Sequence, residues 1–358
     1  MSRLRPIRVL VIDDSTYSRR AITGILEGSP LAEVVGWAAD GEEALRKVIE
    51  LEPDLITLDL EMPRMNGFTF LRMVMARLPT PVIVVSGRSG HQDVFKALEL
   101  GAMDFVAKPA AHATPALAGI EQELLQKVHS IRELRVQNLR PRLEARATLA
   151  RDPEGSRDRT ALVVIGASTG GPAALMQIFA AFREPPPFGF LVGQHMPPGF
   201  TRSFAERIGR ITCFASREAG GGEELLPGWI LVAPGGHHLE LVCEGGKEVT
   251  RLLPKEPGDR YAPRIDRLFS SAAKHFGPGV LALVLTGMGS DGREGAREVK
   301  AAGGRVIVES EESAVVFGMP QQVIREGVAD AVLPLNEIAP AIHAGASVDE
   351  SVGRIPAS

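Results

Sequence analysis

The sequence predicts a two-domain α/β protein, and three observations predict it. Residues 7–125 alternate short apolar runs with amphipathic runs, a charged stretch breaks the pattern, and a second alternation fills residues 157–347. The chain's 358 residues, 44% hydrophobic and 23% charged, are enough for two globular cores.

In the first region strands are expected at 7–12, 34–38, 55–58, 82–85 and 105–107, each a short apolar run. Helices are expected at 17–27, 42–50, 68–77, 94–100 and 115–134, where apolar residues recur at helical spacing. Apolar strands alternating with helices imply a doubly wound parallel sheet covered on both faces. Residues 126–156 are expected to link the domains; from Arg132 on they are rich in Arg, Glu, Pro and small residues. The start of that stretch is free to extend the last helix.

In the second region strands are expected at 161–165, 190–192, 230–233, 239–242, 280–285 and 306–308. The runs 230–233 and 239–242 flank Pro234-Gly-Gly-His-His238 and read as a hairpin. The expectation is a mostly parallel sheet with one β-hairpin. The small, polar residues from Ala344 onward are expected to fray.

Composition excludes some functions. A formal net charge of -4 argues against a general nucleic-acid binder. No apolar run reaches the roughly 18 residues of a membrane span, and the first residues lead straight into a strand. A cytoplasmic location without membrane insertion is expected. Cys213 and Cys243 are expected to be buried free thiols rather than a disulfide.

The sharpest motif is Gly166-Ala-Ser-Thr-Gly-Gly171, between a β-branched run and a helical run that begins with Pro172. Strand, tight turn and helix with this G-x-S-x-G spacing push the Ser168 hydroxyl out of the sheet edge. By itself the turn fits either a nucleophilic serine or a phosphate cradle at a helix start. His195 and Asp291 also follow expected strands. The residue types that activate a serine would thus converge on one sheet edge. His237 and His238 are rival bases in a loop, where histidines are usually just exposed. Asp266, a rival acid, stands at a helix start, suited to capping or to pairing with arginine. The order Ser, His, Asp differs from the Ser, Asp, His of common α/β-hydrolases.

A binding module is the competing reading, but no Gly-Lys-Ser/Thr ending and no G-x-G-x-x-G spacing occurs here. A transcription factor would need a compact basic helix-turn-helix, and the second region is rich in strands instead.

The first region carries its own constellation. Asp13 and Asp14 follow the first strand, Asp59 the third and Lys108 the fifth, while Ser86 ends the fourth. Clustered carboxylates attract Mg²⁺, and one of them can attack phosphorus to form an aspartyl phosphate. Lys108 would serve as a point charge on the phosphoryl oxygens, with Ser86 as a hydrogen-bond donor.

On these residues, with Leu58-Asp-Leu-Glu-Met-Pro63 and Phe105 before Lys108-Pro109, the first region resembles a response-regulator receiver domain. The resemblance implies a flavodoxin-like fold and phosphorylation of Asp59 by a chemotaxis sensor histidine kinase. It implies Mg²⁺ held among Asp13, Asp14, Asp59 and the Glu61 carbonyl, with Ser86, Phe105 and Lys108 as switch residues. The loop Met65-Asn66-Gly67 departs from the Asp-Gly common in that family, a change its turn tolerates.

The second region resembles the CheB family of chemotaxis methylesterases. The motifs are Gly166–Gly171, Gln194-His-Met-Pro197, Ala233-Pro-Gly-Gly236 and Thr286-Gly-Met-Gly-Ser-Asp-Gly292. This resemblance implies Ser168 as nucleophile, His195 as base and Asp291 as orienter, with Thr169 and Met288 lining the site. It implies hydrolysis of glutamyl methyl esters on methyl-accepting chemoreceptors, glutamine deamidation, and no cofactor for the esterase. The receiver is expected to cover the catalytic edge until it is phosphorylated.

Overall fold

The computed structural model describes residues 5–87, 91–108, 117–133 and 160–344. The first domain is a five-stranded parallel sheet of β1 (Ile7–Ile12), β2 (Ala32–Ala38), β3 (Leu55–Leu58), β4 (Val82–Ser86) and β5 (Asp104–Ala107). Their order is β2-β1-β3-β4-β5, so the chain winds both ways from β1. The helices are α1 (Thr16–Glu27), α2 (Gly41–Leu51), α3 (Gly67–Arg77), α4 (His91–Glu99) and α5 (Leu117–His129). Every expected element is present, with ends moved by a few residues. A 3-10 turn, Ser130–Glu133, continues α5; residue 134 and the residues just before Leu117 fall outside the described residues.

Local chemistry fixes the helix starts. The Asp40 carboxylate accepts the N–H groups of Glu42 and Glu43 and so caps α2. Asn66 caps α3 by accepting from Thr69 N at 2.9 Å, which Asp would also do. A Cβ on Gly67 would stand 2.4 Å from the Asp59 carbonyl oxygen, so this close approach requires glycine.

The second domain is built on β6 (Leu162–Ala167), β7 (Gly189–Gln194), β8 (Ala215–Glu218), β9 (Trp229–Val232), β12 (Val280–Val284), β13 (Arg305–Glu309) and β14 (Ala331–Leu333). These seven strands form one sheet in the order β14-β13-β12-β6-β7-β9-β8. Every pairing in it is parallel. The expected hairpin is present but has different partners. β10 (His237–Glu244) pairs antiparallel with β11 (Lys247–Pro254), in a separate two-stranded sheet. The run at 230–233 instead belongs to the parallel sheet, as β9. Gly245 and Gly246, at φ 60° and 81°, supply the positive-φ two-residue turn that hairpins favour. Strong turn chemistry at Gly245-Gly246 thus outweighed the Pro-Gly-Gly signal upstream.

Alternate residues of β6 face opposite layers. Val163 and Ile165 pack with Leu175, Ile178 and Phe179 of α6 (Gly171–Ala180), with Phe204 of α7 (Phe200–Ile211), and with Ile338 of α11 (Leu335–Ala344). Leu162 and Val164 pack with Leu268 and Phe269 of α8 (Ile265–Phe276), Ala296 of α9 (Arg293–Ala301) and Val323 of α10 (Gly318–Glu326). The two domains share apolar contact. Phe95 of α4 and Phe105 of β5 meet Phe204 and Phe200 at ring-centroid distances of 5.4 and 4.6 Å. At the edge of that contact Arg207 forks onto the Glu99 carboxylate at 2.5 and 2.6 Å. Both cysteines are free, as expected, but neither is buried: Cys213 is half-buried and Cys243 is exposed on the hairpin.

Candidate active site

β12, β6 and β7 are adjacent, and the chain leaves β6 for strands on either side. The crevice at their C-terminal ends is therefore the topological switch point, where open α/β sheets bind ligands. Ser168 follows β6, His195 follows β7, and Asp291 stands in the loop after β12. The sheet brings all three together. His195 Nδ1 lies 3.2 Å from Ser168 Oγ, and its Nε2 lies 2.8 Å from Asp291 Oδ2.

The turn that presents Ser168 is held on several sides. The Ser168 N–H donates to Thr286 O at 3.0 Å, and the Ser168 carbonyl accepts from Gly171 N at 2.8 Å. Gly170 adopts φ +79° and starts α6. A Cβ on Gly287 would stand 2.7 Å from Ser168 Cβ, so only glycine lets the loop after β12 approach the serine. Thr169 is buried, and its carbonyl accepts the Thr286 hydroxyl at 2.9 Å. Met288 lines the same cavity as Ser168, Thr169 and His195.

Asp291 occupies the N-terminus of α8. Its Oδ2 accepts the Ile265 N–H at 2.8 Å and its Oδ1 the Asp266 N–H at 2.9 Å, in addition to the bond from His195. Burial by itself would raise its pKa. The hydrogen bond and charge of His195, with the two helix-start N–H groups, override burial and hold the carboxyl below the usual range.

The rivals have other duties. His238 is fully buried rather than exposed, with Nε2 on Asp259 at 2.8 Å and Nδ1 accepting from Arg264 N. His237 is exposed. Asp266 accepts the N–H groups of Gly292 and Gly295, each at 2.9 Å, and caps α9 from a neighbouring helix; no ion pair from it to an arginine is present among the described residues. Burial raises its pKa.

Two residues beside the triad were given no role from the sequence. Gln194, buried under the turn, donates to the carbonyls of Ser168 and His195 at 2.9 and 3.0 Å. Its place directly before His195 was the available signal. Tyr261 stacks on the His195 ring, with centroids 4.2 Å apart and planes 8° from parallel. Burial pushes its phenol up. Tyr261 lies 66 residues from His195 in the sequence, and no local pattern announces the contact.

The cavity over Ser168 measures about 400 Å³, and part of its wall comes from the first domain: Gln122, Glu123, Gln126 and Lys127 of α5. Lys127 is partly buried, ion-paired to Asp104 at 2.9 Å and set over the Phe105 ring.

In the first domain Asp13, Asp14 and Asp59 bring ligand oxygens within 4.8 Å of one another. Lys108 Nζ stands 2.7 Å from Asp13 Oδ2 and also pairs with Asp59. Burial pushes the Asp13 carboxyl up, partly offset by Lys108; burial would lower Lys108, but Asp13 and Asp59 together raise it. Asp13 Oδ2 is buried and faces the Lys108 ammonium, and the three clustered carboxylates are the oxygen donor set that suits Mg²⁺. Glu61 is exposed, and its N–H points at Asp59 Oδ1 from 3.4 Å. Ser86 pairs with Ala107 at the end of β4, in the strand next to Phe105 and Lys108. Phe105 itself is buried against Phe200.

Fold and site together define a phosphorylation-type switch domain joined to a serine-hydrolase domain. The family model described as CheB methylesterase matches residues 163–342, and the response regulator receiver domain model matches residues 9–115. A protein-glutamate methylesterase/protein-glutamine glutaminase of Geobacter sulfurreducens is 46% identical over 356 residues, covering 94% of this chain and 96% of that one. One from Anaeromyxobacter dehalogenans is 51% identical over 341 residues, covering 94% and 95%. The crystal structure of the Thermotoga maritima CheB methylesterase catalytic domain aligns at 43% identity and TM-score 0.49, covering 51% of this chain and 96% of that chain. This chain belongs to the CheB methylesterase family and carries a response regulator receiver domain.

Proposed function

We propose that the chain is a phosphorylation-regulated protein-glutamate methylesterase that also deamidates glutamine. The supporting observation is the unbroken line of hydrogen bonds from Ser168 through His195 to Asp291. In this reading the domains are residues 7–125, a linker 126–156, and 157–347.

His195 Nδ1 takes the Ser168 proton as Oγ bonds to the ester carbonyl carbon. Asp291 holds the Nε2–H and stabilises the imidazolium. The Ser168 N–H is already committed to Thr286 O and the Gly171 N–H to Ser168 O. The donors for the oxyanion therefore come from the rest of the α6 start and from the Met288 loop. When the tetrahedral adduct collapses, the ester C–O bond breaks and methanol leaves with the proton from His195. Water then adds to the acyl-enzyme by the reverse path, freeing a glutamate and restoring Ser168. A primary amide follows the same course with ammonia as the leaving group.

Asp59 is the phosphoryl acceptor, with Lys108 and Ser86 on the phosphoryl oxygens. Asp13, Asp14, Asp59 and the Glu61 carbonyl would hold Mg²⁺, which neutralises charge on the transferring phosphoryl group. The α5 wall over Ser168 supports inhibition by the unphosphorylated receiver. Phosphorylation adds about -1.5 to -2 charge and shifts the population toward an open arrangement. The partners in this reading are a chemotaxis sensor histidine kinase and methyl-accepting chemoreceptors, in the cytoplasm. No described helix is long and apolar enough to cross a membrane.

The test is methanol release from methylated receptor, with and without a phosphodonor. Wild type releases methanol faster with the phosphodonor, and Ser168→Ala loses nearly all turnover. Undiminished turnover in Ser168→Ala would sink the esterase reading.

A further inference from the structure

We propose that Tyr261 is a positioning residue that fixes the plane of the His195 ring and stabilises its imidazolium during proton transfer. The inference rests on reading Ser168, His195 and Asp291 as the triad.

Both hydrogen bonds of His195 leave from the ring edge, Nδ1 toward Ser168 and Nε2 toward Asp291. Edge bonds fix where the ring points; a contact on the face resists its tilting out of plane. Tyr261 supplies that contact, stacked at 4.2 Å and 8°. Its hydroxyl end also reaches the loop that carries Asp291, standing 3.2 Å from where a Cβ on Gly289 would lie. One side chain therefore touches the base and abuts the loop of the orienting acid.

The segment that carries Tyr261 is braced at both ends. His238 holds Asp259 with Nε2 and the Arg264 N–H with Nδ1, at 2.8 and 3.2 Å. Asp259 also accepts the Glu256 N–H at 2.8 Å, and Ala262 O accepts the Gly236 N–H at 3.0 Å. The buried His238, which takes no part in the chemistry, thus acquires a role as anchor of the Tyr261 loop.

The stack is worth more to the charged ring than to the neutral one. Proton transfer turns His195 into a cation lying over an aromatic face, an attraction the ground-state imidazole lacks. An interaction that strengthens only as the proton moves raises kcat rather than lowering KM. Cation–π attraction of the usual size corresponds to roughly 2- to 30-fold in rate.

The experiment uses the full chain with a phosphodonor and compares Tyr261→Phe, Tyr261→Leu and Tyr261→Ala, with Ser168→Ala alongside. Two rates are read: methanol release from a protein-bound glutamyl methyl ester, and acylation-like labelling of Ser168 by a serine-directed organophosphorus reagent. Tyr261→Phe keeps the aromatic face and stays within about 2-fold of wild type. Tyr261→Leu keeps the bulk without the face and loses about 5- to 30-fold in kcat and in labelling rate, at nearly unchanged KM. The inference is overturned if Tyr261→Leu keeps its kcat, if the loss falls wholly in KM, or if Tyr261→Phe drops as far as Tyr261→Leu. Tyr261→Ala is read by the same criteria should the leucine variant fold poorly. Full turnover in Ser168→Ala would instead overturn the triad reading beneath it.

Discussion

Replacing Asp291 by asparagine removes one charge while keeping the side chain's shape, and the hydrogen bonds around it set the consequences. Oδ2 accepts from His195 Nε2 and Ile265 N, and Oδ1 accepts from Asp266 N and Gly292 N. An asparagine must turn its NH₂ toward one of these donor pairs. If it faces His195, Nε2 becomes an acceptor, the ring proton moves to Nδ1, and Nδ1 no longer takes the Ser168 proton. If it faces the other way, the Asp266 N–H loses its acceptor, while Gly292 N keeps the Asp266 carboxylate at 2.9 Å. Either way the imidazolium loses its counter-charge. The kcat of Asp291→Asn is expected to fall about 10³- to 10⁴-fold, as for other wrong-tautomer triads. In either orientation one helix-start donor, Ile265 N or Asp266 N, is left unpaired, which costs about 1–2 kcal/mol, or about 3–6 °C in the melting of a domain this size. The pH dependence has a definite sign. Because the folded Asp291 carboxyl lies below its ordinary value, its stabilisation is in place above the unfolded pKa, about 3.9. It disappears as pH falls through the folded value. Denaturant titrations should therefore show wild type and Asp291→Asn converging below about pH 4. The control is Asp266→Asn, whose retained Oδ1 still caps α9 and which should remain active. A kcat for Asp291→Asn within about threefold of wild type would refute Asp291 as orienter.

Four further outcomes are expected. Gly287→Ala drives a methyl group into Ser168 Cβ and Met319 Sδ, and should cost about 1–3 kcal/mol of stability with most of the activity, by melting and methanol release. Arg207→Ala removes the fork onto Glu99 between the domains. It should raise the rate without phosphodonor by up to about fivefold and leave the phosphorylated rate alone. An unchanged basal rate would mean this ion pair does not hold the receiver in place. Asp59→Asn should abolish incorporation of labelled phosphate and the stimulated rate while basal turnover persists. Chelating Mg²⁺ should do the same to wild type, and stimulation surviving a chelator would argue against the Asp13-Asp14-Asp59 site.

Much of the fold was legible because parallel α/β units are locally encoded. A run such as Val163-Val-Ile165 buried on both faces, followed by glycines and an amphipathic helix, admits few structures. Short, polar or edge strands were less legible. β8 is brief and mostly polar, β14 has only three residues, and β11 mixes Glu, Thr and Arg with its apolar residues. Local pattern therefore paired the run at 230–233 with the wrong partner. Strand pairing is a choice among distant segments, settled by which faces must be buried together rather than by either strand alone.

The site divides in the same way. Ser168, His195, Asp291, Asp13, Asp14, Asp59 and Lys108 could be named in advance because each sits one turn beyond a strand, where chain direction alone sends side chains to a common edge. Tyr261 on the face of His195, the helix-start N–H groups on Asp291 and the bond from Gln194 to Ser168 could not, because each contact joins segments that nothing local relates. That the first domain would cover the catalytic edge was expected, but not that α5 would do so, nor that Phe105 would pack against Phe200. The sequence by itself determined which chemistry is present and the strand ends that hold it. Only the tertiary structure decided which ring nitrogen faces the serine, what stacks on the histidine, and which helix of one domain walls in the other's site. Those are properties of packing, and packing energies depend on every neighbour at once.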